Sequence, residues 1–256
     1  MSFEDSAEYI AKAKNLFTIG AAFTTNTSKG HDFFDISTHT LAALNTRTTG
    51  YSFLDKSLNG GYSNKTLVVL MGGPKTGKSM WLCNLAAQSV KNGYNTLYIT
   101  LELPYQKVSQ RIGANMFNIP MAQYNETVKD NNLFAKKVQE FRANQLGKLG
   151  KFILEEFPTS TATAEMIEAF AVKKQEEISA LTGKDFKFDN VYIDYLNIMR
   201  DMKNPNSENT YLKIKSICED VRAMAQRNEW CIISVTQTNR GGTESSDLNM
   251  TDVSES

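Results

Sequence analysis

The chain has 256 residues, of which 41% are hydrophobic and 22% charged, enough for one large α/β domain with a proper core. Its 28 basic and 28 acidic side chains cancel, which excludes the basic excess by which a monomer binds nucleic acid across a broad face. No apolar run in the sequence approaches the length of a bilayer crossing, so we expect no membrane association. Any contact with nucleic acid must therefore use a few local groups or a site built from several subunits.

Residues 1–30 are predicted to form a helix followed by a flexible linker. The segment from Ser2 to Phe17 has one weakly apolar face and begins with a capping pattern. It fits equally well a frayed terminus and an arm that docks on a neighbouring subunit. The segment from Thr18 to Lys29 lacks periodicity, which is typical of a linker. We therefore assign residues 31–256 to the main domain.

The sequence also predicts a cytoplasmic protein. The segment from Met1 to Asp5 is acidic and lacks the basic start and apolar stretch of a secretory signal. The cysteines have no metal-type spacing, and Cys83, Cys218 and Cys231 each lie in an apolar helix or strand pattern. We therefore expect them to be reduced residues of the core.

From Thr49 onward the predicted strands and helices alternate. This alternation predicts an α/β fold with a mostly parallel twisted sheet flanked by helices on both faces. Ligands of such sheets bind beyond the carboxyl ends of the strands, so the residues there are the candidates. The predicted strands are Thr66–Met71, Asn95–Leu101, Lys151–Leu154, Val191–Asp194 and Cys231–Thr236. The predicted helices are Met80–Val90, Pro104–Asn118, Leu133–Gln145, Thr163–Thr182 and Ser207–Asn228.

The segment after the first of these strands fits the phosphate-binding pattern G-x-x-x-x-G-K-[ST], in the strand–loop–helix context that this P-loop needs. It reads Gly72-Gly73-Pro74-Lys75-Thr76-Gly77-Lys78-Ser79. Glycines allow backbone N–H groups to close around phosphates, and the helix N-terminus adds its positive dipole end. Lys78 is then predicted to reach the β- and γ-phosphates of a bound nucleotide, and Ser79 to bind Mg²⁺. The alternative is a structural glycine turn, which the matching context disfavours.

Asp194 follows three apolar residues of a later strand, as in a Walker B motif. Its carboxylate is predicted to hold Mg²⁺ together with Ser79. A strand that ends in aspartate beside a loop is also often a simple Asx-turn.

Two further strand ends carry polar groups that a phosphoryl-transfer site requires. Glu102 is predicted to orient and deprotonate the attacking water, although an acid before Pro104 also suits a helix start. Gln237 is predicted to sense the γ-phosphate, and its alternative is an exposed loop glutamine.

With the P-loop, these strand ends resemble the RecA-type ATPase core of DnaB-like replicative helicases, from about Thr49 to the end of the chain. The motifs that carry the resemblance are Thr49-Gly50, Leu54-Asp55, Gly60-Gly61, Leu101-Glu102-Leu103, Ile193-Asp194-Tyr195-Leu196 and Gln237-Thr238-Asn239-Arg240. The segments that look most like T-even phage helicases are Gly30-His31-Asp32, Arg111-Ile112-Gly113-Ala114-Asn115-Met116, and Ser246 to Asp252 with Glu255-Ser256.

The resemblance implies a RecA-like P-loop NTPase that forms a homo-hexamer and moves 5′–3′ along single-stranded DNA with ATP and Mg²⁺. It implies primase and a helicase loader as partners, the host cytoplasm if the gene is a phage gene, and an N-terminal linker helix that packs on the next subunit. In a ring, several subunits can each contribute a few hydrogen-bond donors to one DNA strand, so the lack of net positive charge does not argue against DNA binding. Arg240 fits a contact with the DNA backbone and a solvated loop arginine equally well.

The family pattern continues beyond Ser256, with arginine and lysine fingers that reach a neighbour's ATP, and it includes an N-terminal domain that recruits primase. We therefore expect the ATPase core to be incomplete at its C-terminus. Because arginine fingers contribute orders of magnitude in rate, we expect weak or absent ATP turnover by this chain alone.

Three other functions remain compatible with a P-loop. They are a RecA-like ATPase of recombination, repair or clock type, a small-molecule kinase, and a non-catalytic nucleotide-binding assembly module. The segments after Gln237 favour the helicase over the first. Glu102 argues against the kinase, which usually lacks a glutamate after the second strand.

Overall fold

The computed structural model of the chain describes residues 32–34, 46–145, 147–203 and 209–237. The chain divides into two units, Met1–Asn45 and Thr46–Ser256. The fold below is that of the second unit. The helix and linker predicted within residues 1–30 lie outside the described residues.

Within the described residues of the second unit, the sheet has five strands, all parallel, in the order β3-β7-β6-β4-β5. Two short strands, β1 and β2, form a separate antiparallel pair. This arrangement confirms the predicted parallel sheet. The strands are β1 Thr46–Arg47, β2 Tyr62–Ser63, β3 Thr66–Gly72, β4 Thr96–Thr100, β5 Phe152–Glu156, β6 Asn190–Asp194 and β7 Cys231–Gln237.

The helices follow the predicted order with shifted ends and two additions, α1 and α4. The long helix α6 begins after Thr163, whose hydroxyl accepts a hydrogen bond from the Met166 N–H at 3.2 Å. It ends at Gly183, whose φ of 68° is left-handed. The helices are α1 Ser52–Ser57, α2 Lys78–Lys91, α3 Tyr105–Met116, α4 Met121–Lys129, α5 Asn131–Asn144, α6 Ala164–Thr182 and α7 Thr210–Asn228, with a 3₁₀ turn at Leu196–Ile198.

The addition of α4 has a simple cause. Pro120 is predicted to stop the preceding helix, and α3 does end before it, at Met116. The same proline then stands directly before the first residue of α4. A proline lacks an N–H and has a fixed φ, so it suits a helix start as well as a helix end.

Helices cover both faces of the sheet, as predicted. Because side chains alternate along a strand, β4 sends Leu97 and Ile99 to one face and Tyr98 to the other. The first face packs on α6 and α7 through Ile167, Ala171, Ile217, Val221 and Met224. The second face packs on α2 and α3 through Leu82, Leu85, Ala86, Val108 and Ile112. Every residue of β4 and β6 is buried, as is usual for central parallel strands.

The cysteines are free thiols. Cys83 and Cys231 are buried in the core, and burial raises the pKa of each to about 11. Cys218 is half-buried and packs against the core on the sheet face that α6 and α7 cover. Among the described residues, no helix combines the length and apolar character that a membrane crossing needs.

The helices α3, α4 and α5 enclose a small core of their own. Tyr124 of α4 is buried between Gly113 of α3 and the ring of Phe134, whose centroid lies 6.3 Å away. A β-carbon added at Gly113 would lie 2.1 Å from the Tyr124 hydroxyl oxygen. Only glycine therefore allows this approach of α4 to α3.

We expect Gly113→Ala to lower the free energy of unfolding by about 1–3 kcal/mol, because the added methyl group overpacks a closed site. Urea unfolding followed by circular dichroism measures the change. In a Tyr124→Ala background the same substitution should be neutral or stabilising, since alanine is the better helix former by about 1 kcal/mol. An equal loss in both backgrounds would contradict the assignment to this contact.

Candidate nucleotide-binding site

The predicted P-loop joins the end of β3, at Gly72, to the start of α2, at Lys78. Gly77 immediately before the helix has a φ of 89°, a left-handed conformation that side-chain-bearing residues rarely adopt. Within the loop the Thr76 hydroxyl donates a hydrogen bond to the Gly73 carbonyl oxygen at 2.8 Å. The sequence thus forms the strand–loop–helix turn that the pattern predicts.

The Lys78 side chain folds back over this loop. Its ammonium donates a hydrogen bond to the Gly73 carbonyl oxygen at 2.6 Å. Burial lowers the pKa of Lys78, while the nearby charges of Glu102 and Asp194 act in the opposite direction. The ammonium is therefore held at the loop, where a phosphate can replace its carbonyl partner.

Ser79 and Asp194 meet although they are far apart in sequence. The Ser79 hydroxyl donates a hydrogen bond to Asp194 Oδ1 at 3.0 Å. Asp194 is the last residue of β6 and is fully buried. Burial raises the pKa of the Asp194 carboxyl, and the hydrogen bonds from Ser79 and Tyr98 oppose that rise.

This donor pair is suited to a particular kind of metal site. Among the described residues, His, Cys, Asp and Glu form no cluster of three or more that could hold a metal ion on its own. One hydroxyl and one carboxylate instead fit Mg²⁺, which binds proteins through few ligands and completes its shell with substrate phosphates and water.

Tyr98 is a second donor to Asp194. Its hydroxyl lies 3.1 Å from Asp194 Oδ2, and its ring stacks on that of Tyr192 with centroids 6.2 Å apart. Tyr98 of β4 pairs with Tyr192 of β6. Tyr192 lies two residues before Asp194, so the side chains of Tyr192 and Asp194 are on the same face of β6. Sequence reasoning misses Tyr98, and the signal in the sequence is a tyrosine between the apolar residues Leu97 and Ile99 of a buried strand.

An open cleft of about 330 Å³ lies beside the loop. It is lined by predicted site residues from separate elements: Lys75, Gly77, Lys78, Ser79, Glu102 and Gln237. Gly72, Gly73, Pro74 and Thr76 belong to the same loop but do not line the cleft. The structure therefore brings three of the predicted strand ends to one place, with Asp194 hydrogen-bonded to Ser79.

Two of these positions differ slightly from prediction. Gln237 is the last residue of β7, paired with Gly72 of β3, whereas the sequence placed it after the strand. Glu102 lies two residues beyond the end of β4, which stops at Thr100 rather than at Leu101. Arg240 and its neighbours from Thr238 onward lie outside the described residues.

The cleft has further lining residues that the motifs do not assign. Arg111 reaches it from α3, Met80 from the first turn of α2, and Tyr195 follows Asp194. Burial, and then the charges of Glu102 and Asp194, raise the pKa of Tyr195. The resemblance to phage helicases includes Arg111, but nothing in its spacing places it in this cleft.

Comparison with known proteins identifies relatives of this chain. Residues 47–256 match the sequence model of a family described as the DnaB-like helicase C terminal domain. The DnaB-like replicative helicase of Enterobacteria phage T4 is 31% identical over 204 residues, which are 79% of this chain and 41% of that protein. The replicative DNA helicase DnaB of Rickettsia conorii is 23% identical over 204 residues, covering 75% of this chain and 38% of that protein. The chain thus spans about two fifths of the length of these curated relatives.

Solved structures share its fold. A structure of a DnaB-like replicative helicase and its interactions with primase superposes with a TM-score of 0.66 at 17% identity, covering 96% of this chain and 59% of that chain. A second solved structure, described as an ATPase domain, superposes with a TM-score of 0.65 at 16% identity, covering 85% of this chain and 74% of that chain. These likenesses confirm the predicted RecA-like fold.

We expect Tyr98→Phe to weaken the binding of a fluorescent ATP analogue in the presence of Mg²⁺ by about 3- to 10-fold, the effect of losing one ordinary hydrogen bond, since this one orients the Asp194 carboxylate. Binding without Mg²⁺ should change little, because the ring and its packing remain. Fluorescence titrations with and without the cation measure both.

Tyr192→Phe is the matched control. It removes a buried hydroxyl that lies 2.6 Å from Ser89 Oγ, on the ring that stacks against Tyr98. It should lower stability without changing the Mg²⁺ dependence. An equal effect of the two variants on Mg²⁺ dependence would contradict the role of Tyr98.

Proposed function

The chain belongs to the family of DnaB-like helicase C-terminal domains, and we propose that it is the ATPase motor of a replicative DNA helicase. In this proposal it couples ATP hydrolysis to movement along single-stranded DNA. The observation that carries the proposal is the meeting of Lys78, Ser79, Glu102 and Gln237 around one cleft, with Asp194 bonded to Ser79.

The proposed chemistry assigns a role to each group. Lys78 and the N–H groups of the loop bind the β- and γ-phosphates of ATP. Ser79 and Asp194 hold Mg²⁺, which neutralises charge on the phosphates when it is bound. Glu102 orients a water molecule and accepts its proton as the water oxygen bonds to the γ-phosphorus. The bond from that phosphorus to the β–γ bridging oxygen breaks, leaving ADP and phosphate.

Gln237 is suited to report the state of the nucleotide. It ends β7 beside Gly72 of the P-loop strand, and it is followed by the segment that resembles the DNA-side loop of the family. We propose that contact of its amide with the γ-phosphate changes the position of this following segment. Arg240 in that segment is the proposed contact to the DNA backbone, with a solvated loop arginine as its alternative.

The proposed assembly is a homo-hexamer that encircles single-stranded DNA and moves 5′–3′, with primase and a helicase loader as partners. The neutral net charge supports a shared site, because a single copy lacks the basic excess that strong DNA binding requires. A structural relative described with its interactions with primase supports that partner. The free cysteines support a location in a reducing compartment, which we propose is the cytoplasm. For a phage protein this is the cytoplasm of the host.

We expect Glu102→Gln to retain binding of ATP with Mg²⁺ and to lower the hydrolysis rate by about 100-fold or more, since the general base is lost. Single-turnover release of labelled phosphate, with enzyme in excess, measures a slow rate as well as a fast one. Glu140→Gln, an exposed change on α5 away from the cleft, is the matched control and should alter neither quantity. A non-catalytic assembly module would show the same rate for all three proteins.

Lys78→Ala should abolish binding of ATP and of ADP, because the main positive charge facing the phosphates is removed. Isothermal titration calorimetry with each nucleotide measures the affinity, and thermal unfolding verifies that the variant folds. An unchanged affinity for ATP in the folded variant would overturn the assignment of the P-loop.

A further inference from the structure

Glu102 lies in a short turn between the end of β4 at Thr100 and the start of α3 at Tyr105. The roles proposed above give its carboxylate the attacking water but name nothing that holds this turn in place. We propose that Thr100 is a positioning residue for Glu102, and that its hydroxyl bridges the turn and thereby fixes where the carboxylate stands in the cleft. This inference rests on the proposed function and names a residue that serves the same site.

The first support is the bridge itself. The Thr100 hydroxyl donates a hydrogen bond to the Leu103 carbonyl oxygen at 2.6 Å and accepts one from the Leu103 N–H at 3.3 Å. One side chain thus links the residue two before Glu102 to the residue directly after it. Thr100 is fully buried, so water does not readily replace these bonds when the hydroxyl is removed.

The second support is the backbone of Leu101, directly before Glu102, which is held at both of its polar groups. The Leu101 N–H donates to the Asp194 carbonyl oxygen at 2.9 Å, and the Leu101 carbonyl oxygen accepts from the Thr159 hydroxyl at 2.7 Å. The first bond ties the turn to the strand that ends in the proposed Mg²⁺ ligand. Together with the bridge from Thr100, these bonds fix the chain before and after Glu102, as a preorganised site requires.

The third support is the difference in burial between Glu102 and Thr100. The Glu102 side chain is exposed and lines the cleft, so packing contributes little to its position. A general base must come within hydrogen-bonding distance of the proton that it accepts. The direction in which the exposed side chain leaves the backbone therefore matters, and the buried hydroxyl of Thr100 helps to set that direction.

The first test separates the rate of hydrolysis from the binding of nucleotide. Thr100→Val removes the hydroxyl and keeps the β-branched shape that suits a strand. It should lower the single-turnover rate of ATP hydrolysis by about 10- to 100-fold, because a small misplacement of a catalytic group is costly in rate. Its affinity for a non-hydrolysable ATP analogue with Mg²⁺ should stay within about twofold, since only the transition state is affected. Thr100→Ser keeps the hydroxyl and should recover most of the rate.

Thr96→Val is the matched control. Thr96 is also a fully buried threonine of β4, on the same face of the sheet as Thr100. Its hydroxyl also donates to a carbonyl oxygen, that of Tyr94, at 2.9 Å. Because it lies at the opposite end of the strand from the cleft, Thr96→Val should lower stability and change neither the rate nor the affinity.

The second test asks whether Thr100 acts through Glu102. In a Glu102→Gln background, Thr100→Val should change the remaining rate by no more than about twofold, because two residues that act as one unit are not additive. A loss that persists in full in this background would overturn the positioning role, and so would an equal loss of affinity for the analogue. Urea unfolding verifies that each variant folds, and Thr100→Ala removes the same hydroxyl if Thr100→Val does not fold.

The outcomes also separate this inference from the proposed function. If Glu102→Gln hydrolyses ATP as fast as the unmodified chain, the proposed base and this inference both fail. If Glu102→Gln is slow while Thr100→Val keeps the full rate, the proposed function stands and the role of Thr100 is overturned.

Discussion

The Asp194 carboxylate is the constraint on which the fold and the candidate site both depend. It ends β6, accepts one hydrogen bond from Ser79 in the first turn of α2, and has Tyr98 of β4 as its second donor. A fully buried carboxylate without partners would be costly, so these donors must stay in place. The P-loop helix is therefore tied to the centre of the sheet, and it cannot slide along the sheet without leaving a buried charge unsatisfied.

The same geometry explains how Lys78 and Ser79 remain hydrogen-bonded without substrate. Lys78 bonds to the Gly73 carbonyl oxygen, and Ser79 bonds to Asp194. Substrate binding then exchanges these partners rather than adding bonds to groups that were free. Because an exchanged hydrogen bond contributes little net free energy, the affinity must come mainly from charge and from the fixed loop geometry.

Much of the site follows from sequence order, because parallel strands place their carboxyl ends along one edge of the sheet. The order of the strands is therefore sufficient to predict that Asp194 and Glu102 lie at that edge. It does not predict the role of Tyr98, which lies inside β4 and reaches Asp194 only through the register of β4 on β6. Nor does it place Arg111, whose position depends on how α3 is rotated against α2. The helix after Pro120 is missed because proline is compatible with the end of one helix and the start of another.

Charge is organised locally in this chain rather than over its whole surface. The lining of the cleft holds three cations, Lys75, Lys78 and Arg111, against the carboxylate of Glu102, with the buried carboxylate of Asp194 behind Ser79. That local excess is sufficient for a triphosphate, which is small and is held at short range. A DNA strand is different, because its affinity grows with the number of phosphates that are neutralised. A chain without net charge can meet both demands if each copy binds its own nucleotide and several copies share one strand, and this distribution of charge therefore supports the proposed ring.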